Sequence, residues 1–165
     1  MMNILNSIQQ SGFCSWVRES ESIFSYSGIL LVHTIGMAFV VGVNACIDVR
    51  ILGFAPAVRL AGLGKFFPML WLGLWLNAIT GTILLAIDIV NKLENPDFYI
   101  KMAFIALALI NLRMLRTDVF RDPLIDKISP SSKAKILAVT SLIFWLGAIT
   151  SGRLLAYVGP GIGSK

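Results

Sequence analysis

Twenty-five consecutive residues, Ile23 to Ile47, contain no Asp, Glu, Lys or Arg, and this run does most to decide what the chain can fold into. A helix rising 1.5 Å per residue needs roughly 20 apolar residues to cross the hydrocarbon core of a bilayer, so this run is long enough to span it with some tilt. In lipid every backbone N–H and C=O must be bonded internally, which leaves only helices and closed barrels as spanning structures. Charged residues close the run on both sides, with Arg18, Glu19 and Glu21 before it and Asp48 and Arg50 after it. A second uncharged run extends from Phe66 to Ile87. Pro68 suits its first turn and Trp71 and Trp75 lie near the interface, so the span is expected over 66–90. The third, Phe98 to Leu115, follows the helix-start sequence Asn95-Pro96-Asp97 and is interrupted by Lys101 and Arg113. The fourth covers Ile136 to Val158, has Arg153 as its one charge, and is stopped by Gly159-Pro160-Gly161. The expected fold is all-α: an integral membrane four-helix bundle forming one domain, with spans at 23–47, 66–90, 98–115 and 136–158.

Composition agrees. Of 165 residues, 56% are hydrophobic and 14% charged, with a mean hydropathy of +0.79. Soluble domains run nearer a quarter charged, so a water-soluble enzyme is excluded, and the long apolar runs exclude a disordered chain. The net charge of +5 does not point to nucleic acid, because the basic residues flank or interrupt apolar segments and form no patch with interleaved aromatics. Cys14 and Cys46 fall before and at the far end of the first span, on opposite faces of a membrane, where no disulfide could join them. No CxxC or CxxCH motif and no Cys/His cluster occurs, which removes zinc sites and covalent haem attachment.

The N-terminal stretch lacks the positive n-region and cleavage site of a signal peptide. Its residues Ile4, Leu5, Ile8, Phe13 and Trp16 alternate with Asn and Gln, so a short amphipathic helix lying in the membrane interface is expected. The segment from Pro56 to Lys65 is a candidate for a second one. The connections between spans one and two and between three and four carry nine of the 14 Lys and Arg, and the other side carries five. By the positive-inside rule the basic loops are expected in the cytoplasm and both termini in the periplasm of a bacterial inner membrane.

Ionisable and amide side chains are costly in lipid, so their positions within the spans carry the functional information. On the first span Tyr26, His33, Val40, Asn44 and Asp48 share a stripe at helical spacing, with Gly36 and Met37 beside it. On the second, Gly73, Asn77, Thr80, Gly81, Leu84 and Asp88 form another, and on the fourth Thr140, Ser141, Gly147 and Ser151 do. These faces should pack inward, since small and hydroxyl residues allow close approach and cross-helix hydrogen bonds. Asn44, Asn77, Asp88, Lys101 and Asn111 are the expected intramembrane polar network. Asp88, Lys101 and Arg153 are candidates for a charge network at one end, and Asn44, Asp48, Arg50, Asn111 and Arg113 for polar ties at the other.

His33 is the sole histidine and lies well inside its span. It reads either as a buried residue bonded to a neighbouring helix or as a contact to haem b, a quinone or copper. One histidine cannot give a bis-His haem within a single chain. Met37, one turn away on the same helix, cannot take the opposite axial position, although His33 and Met37 could share Cu(I). Arg153 is placed where a guanidinium could hold a propionate or carboxylate. The aromatics Phe24, Phe39, Trp71, Trp75, Phe104, Phe144 and Trp145 are expected to face lipid or to form interfacial belts.

The stretch Ser27 to Ala38, with its His33-Thr34-Ile35-Gly36-Met37-Ala38 core, followed by Gly42 and Asp48-Val49-Arg50-Ile51-Leu52-Gly53, resembles a family of small bacterial inner-membrane four-helix proteins with no assigned activity. Phe98-x-x-Lys101 with Asn111, and Gly152-Arg153-Leu154-Leu155-Ala156-Tyr157, resemble that family's third- and fourth-helix signatures. More distantly the layout is similar to copper-resistance D type membrane proteins and to four-helix b-type cytochromes, which use two pairs of histidines where this chain has one. The resemblance implies the fold and delivers no activity. Two roles are therefore open. The first is a small membrane subunit, without catalytic activity of its own, that anchors a partner in a larger respiratory or metal-handling assembly or a homo-oligomer. The second is an electron-transfer or metal-handling module in which His33 contacts haem, quinone or copper.

Overall fold

The computed structural model describes residues 2–20, 22–122, 125–127 and 129–157. The chain is 81% helical, and the described residues contain no strand. Two short helices, α1 (Met2–Gln9) and α2 (Gly12–Glu19), precede the long α3 (Tyr26–Ile51). A short α4 (Leu60–Leu63) runs through a 3-10 turn into α5 (Phe67–Ala86). Then come α6 (Ile89–Glu94), α7 (Pro96–Asp118) and α8 (Ser132–Tyr157). Among the described residues four helical segments are long and apolar enough to cross a membrane: Tyr26–Ile51, Leu60–Ala86, Pro96–Asp118 and Ser132–Leu155, with mean hydropathies of 2.0, 1.7, 1.7 and 1.6.

The distribution of side chains is that of a multi-pass membrane protein. Large apolar residues face outward along every span, among them Leu31, Ile79, Ile110 and Leu146, while Asn44, Asp48, Asn111 and Ser141 are buried. In water this arrangement would be inverted; in lipid the polar groups must find partners inside. The hydroxyls that remain outside solve the same problem locally. Thr34, Thr82 and Thr150 each donate to the carbonyl one turn back, at 2.8–2.9 Å.

The helices extend past the uncharged runs because helix geometry does not stop at the first charge. α3 continues through Asp48 and Arg50 to Ile51, and Arg50 turns its guanidinium back onto the carbonyls of Val58 (2.5 Å) and Pro56 (3.3 Å). The turn after it needs positive φ at Gly53 (105°) and Ala55 (49°). Only the end of the Pro56–Lys65 segment is helical, from Leu60. α7 starts at Pro96 with Asn95 as its cap, the Asn95 side chain accepting from the Asp97 amide at 2.9 Å. The expected single N-terminal helix is two. Extended backbone at Ser11 breaks it, and the Ser11 hydroxyl caps α2 by accepting from Cys14 N. Cys14 and Val17 are buried against the protein while Phe13 and Trp16 are half exposed on the other face, the division an interfacial helix requires. The expected stop at Gly159-Pro160-Gly161, the span end at Val158, Glu21 and the C-terminal residue Lys165 lie outside the described residues.

The spans pair as two antiparallel hairpins, α3 with α5 and α7 with α8, joined by contacts between α3 and α8; α5 and α7 make almost no contact. Packing along the bundle is uneven. A continuous core of Ile47, Ile51, Leu60, Phe67, Leu70, Leu112, Leu115 and Leu137 fills the end that carries the basic loops. Toward the middle it thins to Val40, Ala108, Trp145 and Ala148. Beyond that no core cluster among the described residues joins α5 to α7, which are linked there through α6.

Candidate functional site

The gap between α5 and α7 is a cleft of about 520 Å³ within the membrane-spanning region. α3 and α8 form its floor with His33, Met37, Val40, Trp145 and Ala148, and the walls include Trp71, Trp75, Asn77 and Gly81 from α5 and Phe98, Lys101 and Met102 from α7. Its size falls in the range of small-molecule sites, and its lining is apolar with a few polar groups, the usual makeup of such sites.

The α3–α5 pair is set by a close approach. A Cβ on Gly73 would sit 2.7 Å from the Gly36 carbonyl oxygen and 2.8 Å from Phe39 Cβ; one on Gly36 would sit 2.8 Å from Asn77 Nδ2. The two backbones therefore touch, and every turn back along α3 meets a turn forward along α5: Val40 lies against Gly73, Gly36 against Asn77, His33 against Thr80 and Gly81. His33 Nδ1 lies 2.8 Å from Thr80 Oγ1, and Thr80 Oγ1 lies 2.6 Å from the Leu76 carbonyl. Those two distances assign the imidazole tautomer. A hydroxyl has one hydrogen, and a 2.6 Å contact with a carbonyl oxygen needs it there, so the hydroxyl donates to Leu76 and accepts from His33 Nδ1–H. In the neutral ring the other nitrogen, Nε2, is then an unprotonated lone pair with no partner among the described residues, on a side chain that lines the cleft.

Lys101 supplies the cationic group. Its half-buried side chain lies along α8 where Gly152 leaves room; a Cβ there would be 3.5 Å from Nζ. No carboxylate among the described residues pairs with it. Trp145, in the floor, is buried with its indole N–H unpartnered. Asn77 donates to the Gly73 carbonyl at 3.4 Å.

Of the residues singled out in the sequence, His33, Met37, Asn77 and Lys101 thus meet in one cleft. The others are elsewhere. Asn44 donates to Asp48 (2.8 Å) and Ser141 (2.5 Å) deep in the opposite end, and Asn111 to Thr140 (2.6 Å). Arg50 and Arg113 do not join them: Arg50 ties its own loop and Arg113 is exposed. Arg153 is exposed on α8 and does not line the cleft. Asp88 is not on the α5 stripe, because α5 ends at Ala86 and the backbone leaves the helical region at Asp88 (φ −140°, ψ 47°). It accepts instead from Asn91 at 2.7 Å, so the expected Asp88–Lys101–Arg153 charge network does not form. Lys92 on α6 donates to the Leu84 carbonyl, one of those orphaned where α5 ends. Burial pushes the Lys92 ammonium below its ordinary pKa, with Asp88 pulling back the other way. Tyr26, expected to face inward, is half exposed at the start of α3.

Trp71 and Trp75 are exposed at 42% and 65%, as expected of lipid-facing or belt residues, and border the cleft mouth, whereas Trp145, expected likewise, is buried in its floor; Thr80 is the partner that fixes the His33 ring. The signal for Thr80 was the antiparallel register of α3 and α5; for Trp145 it was its place one turn before Ala148 on the inward face of α8. Among the described residues no group of three His, Cys, Asp or Glu comes together. No family model, curated protein or solved structure matches this chain, so the functional reading rests on the cleft itself.

Proposed function

We propose that this chain is a membrane-embedded binding subunit whose cleft takes an apolar molecule with polar oxygens, of the quinone class. The observation that carries the reading is the His33–Thr80 contact, which leaves an imidazole lone pair in an apolar cleft that also holds an unpaired ammonium. A quinol needs an acceptor for its O–H, and a quinone carbonyl needs a donor. His33 Nε2 provides the first and Lys101 Nζ the second, with the Trp71 and Trp75 rings available to stack on a flat head group. Haem or copper asks for two or more donors converging on one metal. Among the described residues the cleft's donors of that kind are His33, Met37 and Met102, with no carboxylate or thiolate beside them. The opening between α5 and α7 would admit such a molecule sideways from the bilayer.

The test uses the full chain in lipid nanodiscs and a short-chain azido-benzoquinone, cross-linked by light. Labelling should saturate, be competed by excess decyl-benzoquinone, and map to α5 and α7. Lys101→Met and His33→Leu should each weaken it about tenfold, the usual effect of losing a hydrogen bond to a charged or reactive group. Thr80→Val, which frees Nδ1 to exchange its proton, should weaken it less. Labelling that never saturates and is the same in all variants would return the chain to the role of an anchoring subunit without a ligand.

The subunit reading places the chain in a bacterial inner membrane, with the 52–59 and 119–131 connections in the cytoplasm. Support comes from the nine-to-five distribution of basic residues. In intact spheroplasts a membrane-impermeant maleimide should label Glu94→Cys and leave Lys127→Cys unlabelled until lysis. The opposite pattern would invert the topology.

A further inference from the structure

At the end of the bundle remote from His33 a second cavity, of about 550 Å³, is lined by Arg113, Arg116, Thr117 and Arg121, with Phe67 and Phe120 among its apolar lining. Arg113, Arg116 and Thr117 occupy one face of the last turns of α7, where three- and four-residue spacing sets side chains together. Arg121 follows from the connection beyond it. Among the described residues no carboxylate lines the cavity. Two of the acids close by in sequence are engaged elsewhere. Asp118 is bonded to Lys133 at 2.5 Å, and Asp126 accepts from the amide of Leu60 at 2.7 Å and from that of Ala61 at 3.4 Å.

The cavity has fixed walls. Phe120 packs edge-on against Phe67, ring centres 4.9 Å apart, and Gly64 has no Cβ because one would lie 3.2 Å from the Phe120 ring. The Arg116 guanidinium carbon sits 5.2 Å from the centre of the Phe67 ring, a cation–π contact that holds the fork in place. By capping α4, Asp126 pins the connection that contributes Ile125 to the lining. Guanidinium groups that line one cavity repel one another, and each presents a planar donor fork matched to paired oxygens. The cavity stands where the α7 span, Pro96–Asp118, ends.

We infer that this cavity is a binding site for a phosphate group, held by Arg113, Arg116 and Arg121 with the Thr117 hydroxyl beside them. The phosphate is either the head group of an anionic phospholipid or a free phosphate from the aqueous side. Both use the same donors, and they differ in whether an acyl chain lies along the apolar surface of α7.

The experiment has two arms on the full chain. In the first, native mass spectrometry follows retention of phosphatidylglycerol after exchange out of mixed phosphatidylglycerol–phosphatidylcholine nanodiscs. In the second, calorimetry measures inorganic phosphate binding in nanodiscs of phosphatidylcholine alone. Arg113→Gln and Arg121→Gln, both exposed and outside the core, should each lower binding about tenfold in whichever arm shows it, and Arg116→Lys should recover part of what Arg116→Gln loses. Retention in the first arm alone identifies a lipid, and heat in the second a free phosphate. Binding in neither arm, or binding that is the same in wild type and the three Gln variants, overturns the site.

Discussion

Gly73→Ala is expected to cost the bundle about 3 kcal/mol, and Gly73→Leu to prevent α3 and α5 from pairing at all. The new Cβ would meet the Gly36 carbonyl oxygen at 2.7 Å and Phe39 Cβ at 2.8 Å. The first of these is backbone, which yields only if the whole helix moves, and the cost is that of overpacking a close contact. Gly42→Ala is the control. Nothing lies within 4 Å of a Cβ there, so better helix propensity should leave stability unchanged or raise it by up to about 1 kcal/mol. Unfolding in mixed micelles, followed by far-UV circular dichroism, would measure both. Since His33 meets Thr80 on the same register that brings Val40 to Gly73, the Ala variant should also weaken quinone labelling without touching the cleft. Equal stability of Gly73→Ala and Gly42→Ala would mean that the helices are further apart than described.

The spans were legible because an uncharged run of this length has one use, and the inward stripes because polar and small residues repeat at helical spacing. Helix ends were less so. Hydropathy marks where lipid begins, whereas α3 ends where Gly53 and Ala55 take positive φ and α5 ends just before the backbone leaves the helical region at Asp88, features set by hydrogen bonding in the loops. A stripe projected through Asp88 therefore assumed a helix that had already stopped. The site was half legible. His33, Lys101 and Asn77 stood out because each is costly in lipid, while the tryptophans did not, since an aromatic side chain in a span is equally at home against lipid, protein or a cleft wall. What the sequence cannot display is the space left between α5 and α7. That space follows from how the core residues divide between two hairpins, and it decides which polar side chains share a cavity.

The polar cluster at the closed end yields an asymmetric prediction. Asn44, Asp48 and Ser141 are almost fully buried, at 0%, 0% and 1% exposure. The Asn44 amide gives its hydrogens to both partners, while Asn44 Oδ1 and Asp48 Oδ1 have none. In Asn44→Leu the Asp48 carboxyl stays buried with the Ser141 hydroxyl as its remaining side-chain neighbour, and the loss should be about 3 kcal/mol, the cost of removing the main donor to a buried carboxyl. Asp48→Leu removes the group that needs satisfying. The amide still has Ser141, and the expected loss is about 1 kcal/mol, in line with neutral hydrogen bonds between membrane helices. The double variant Asn44→Leu with Asp48→Leu should cost about 1 kcal/mol, recovering most of what the first change costs and giving a coupling of about 3 kcal/mol in a double-mutant cycle followed by reversible unfolding in micelles. If the two single changes cost the same and add, the cluster is ordinary packing and Asn44 does not serve the carboxyl. If the recovery appears, the donor exists to keep an ionisable group inside the bundle at the end away from His33, where a leucine pair would have held the helices together as well.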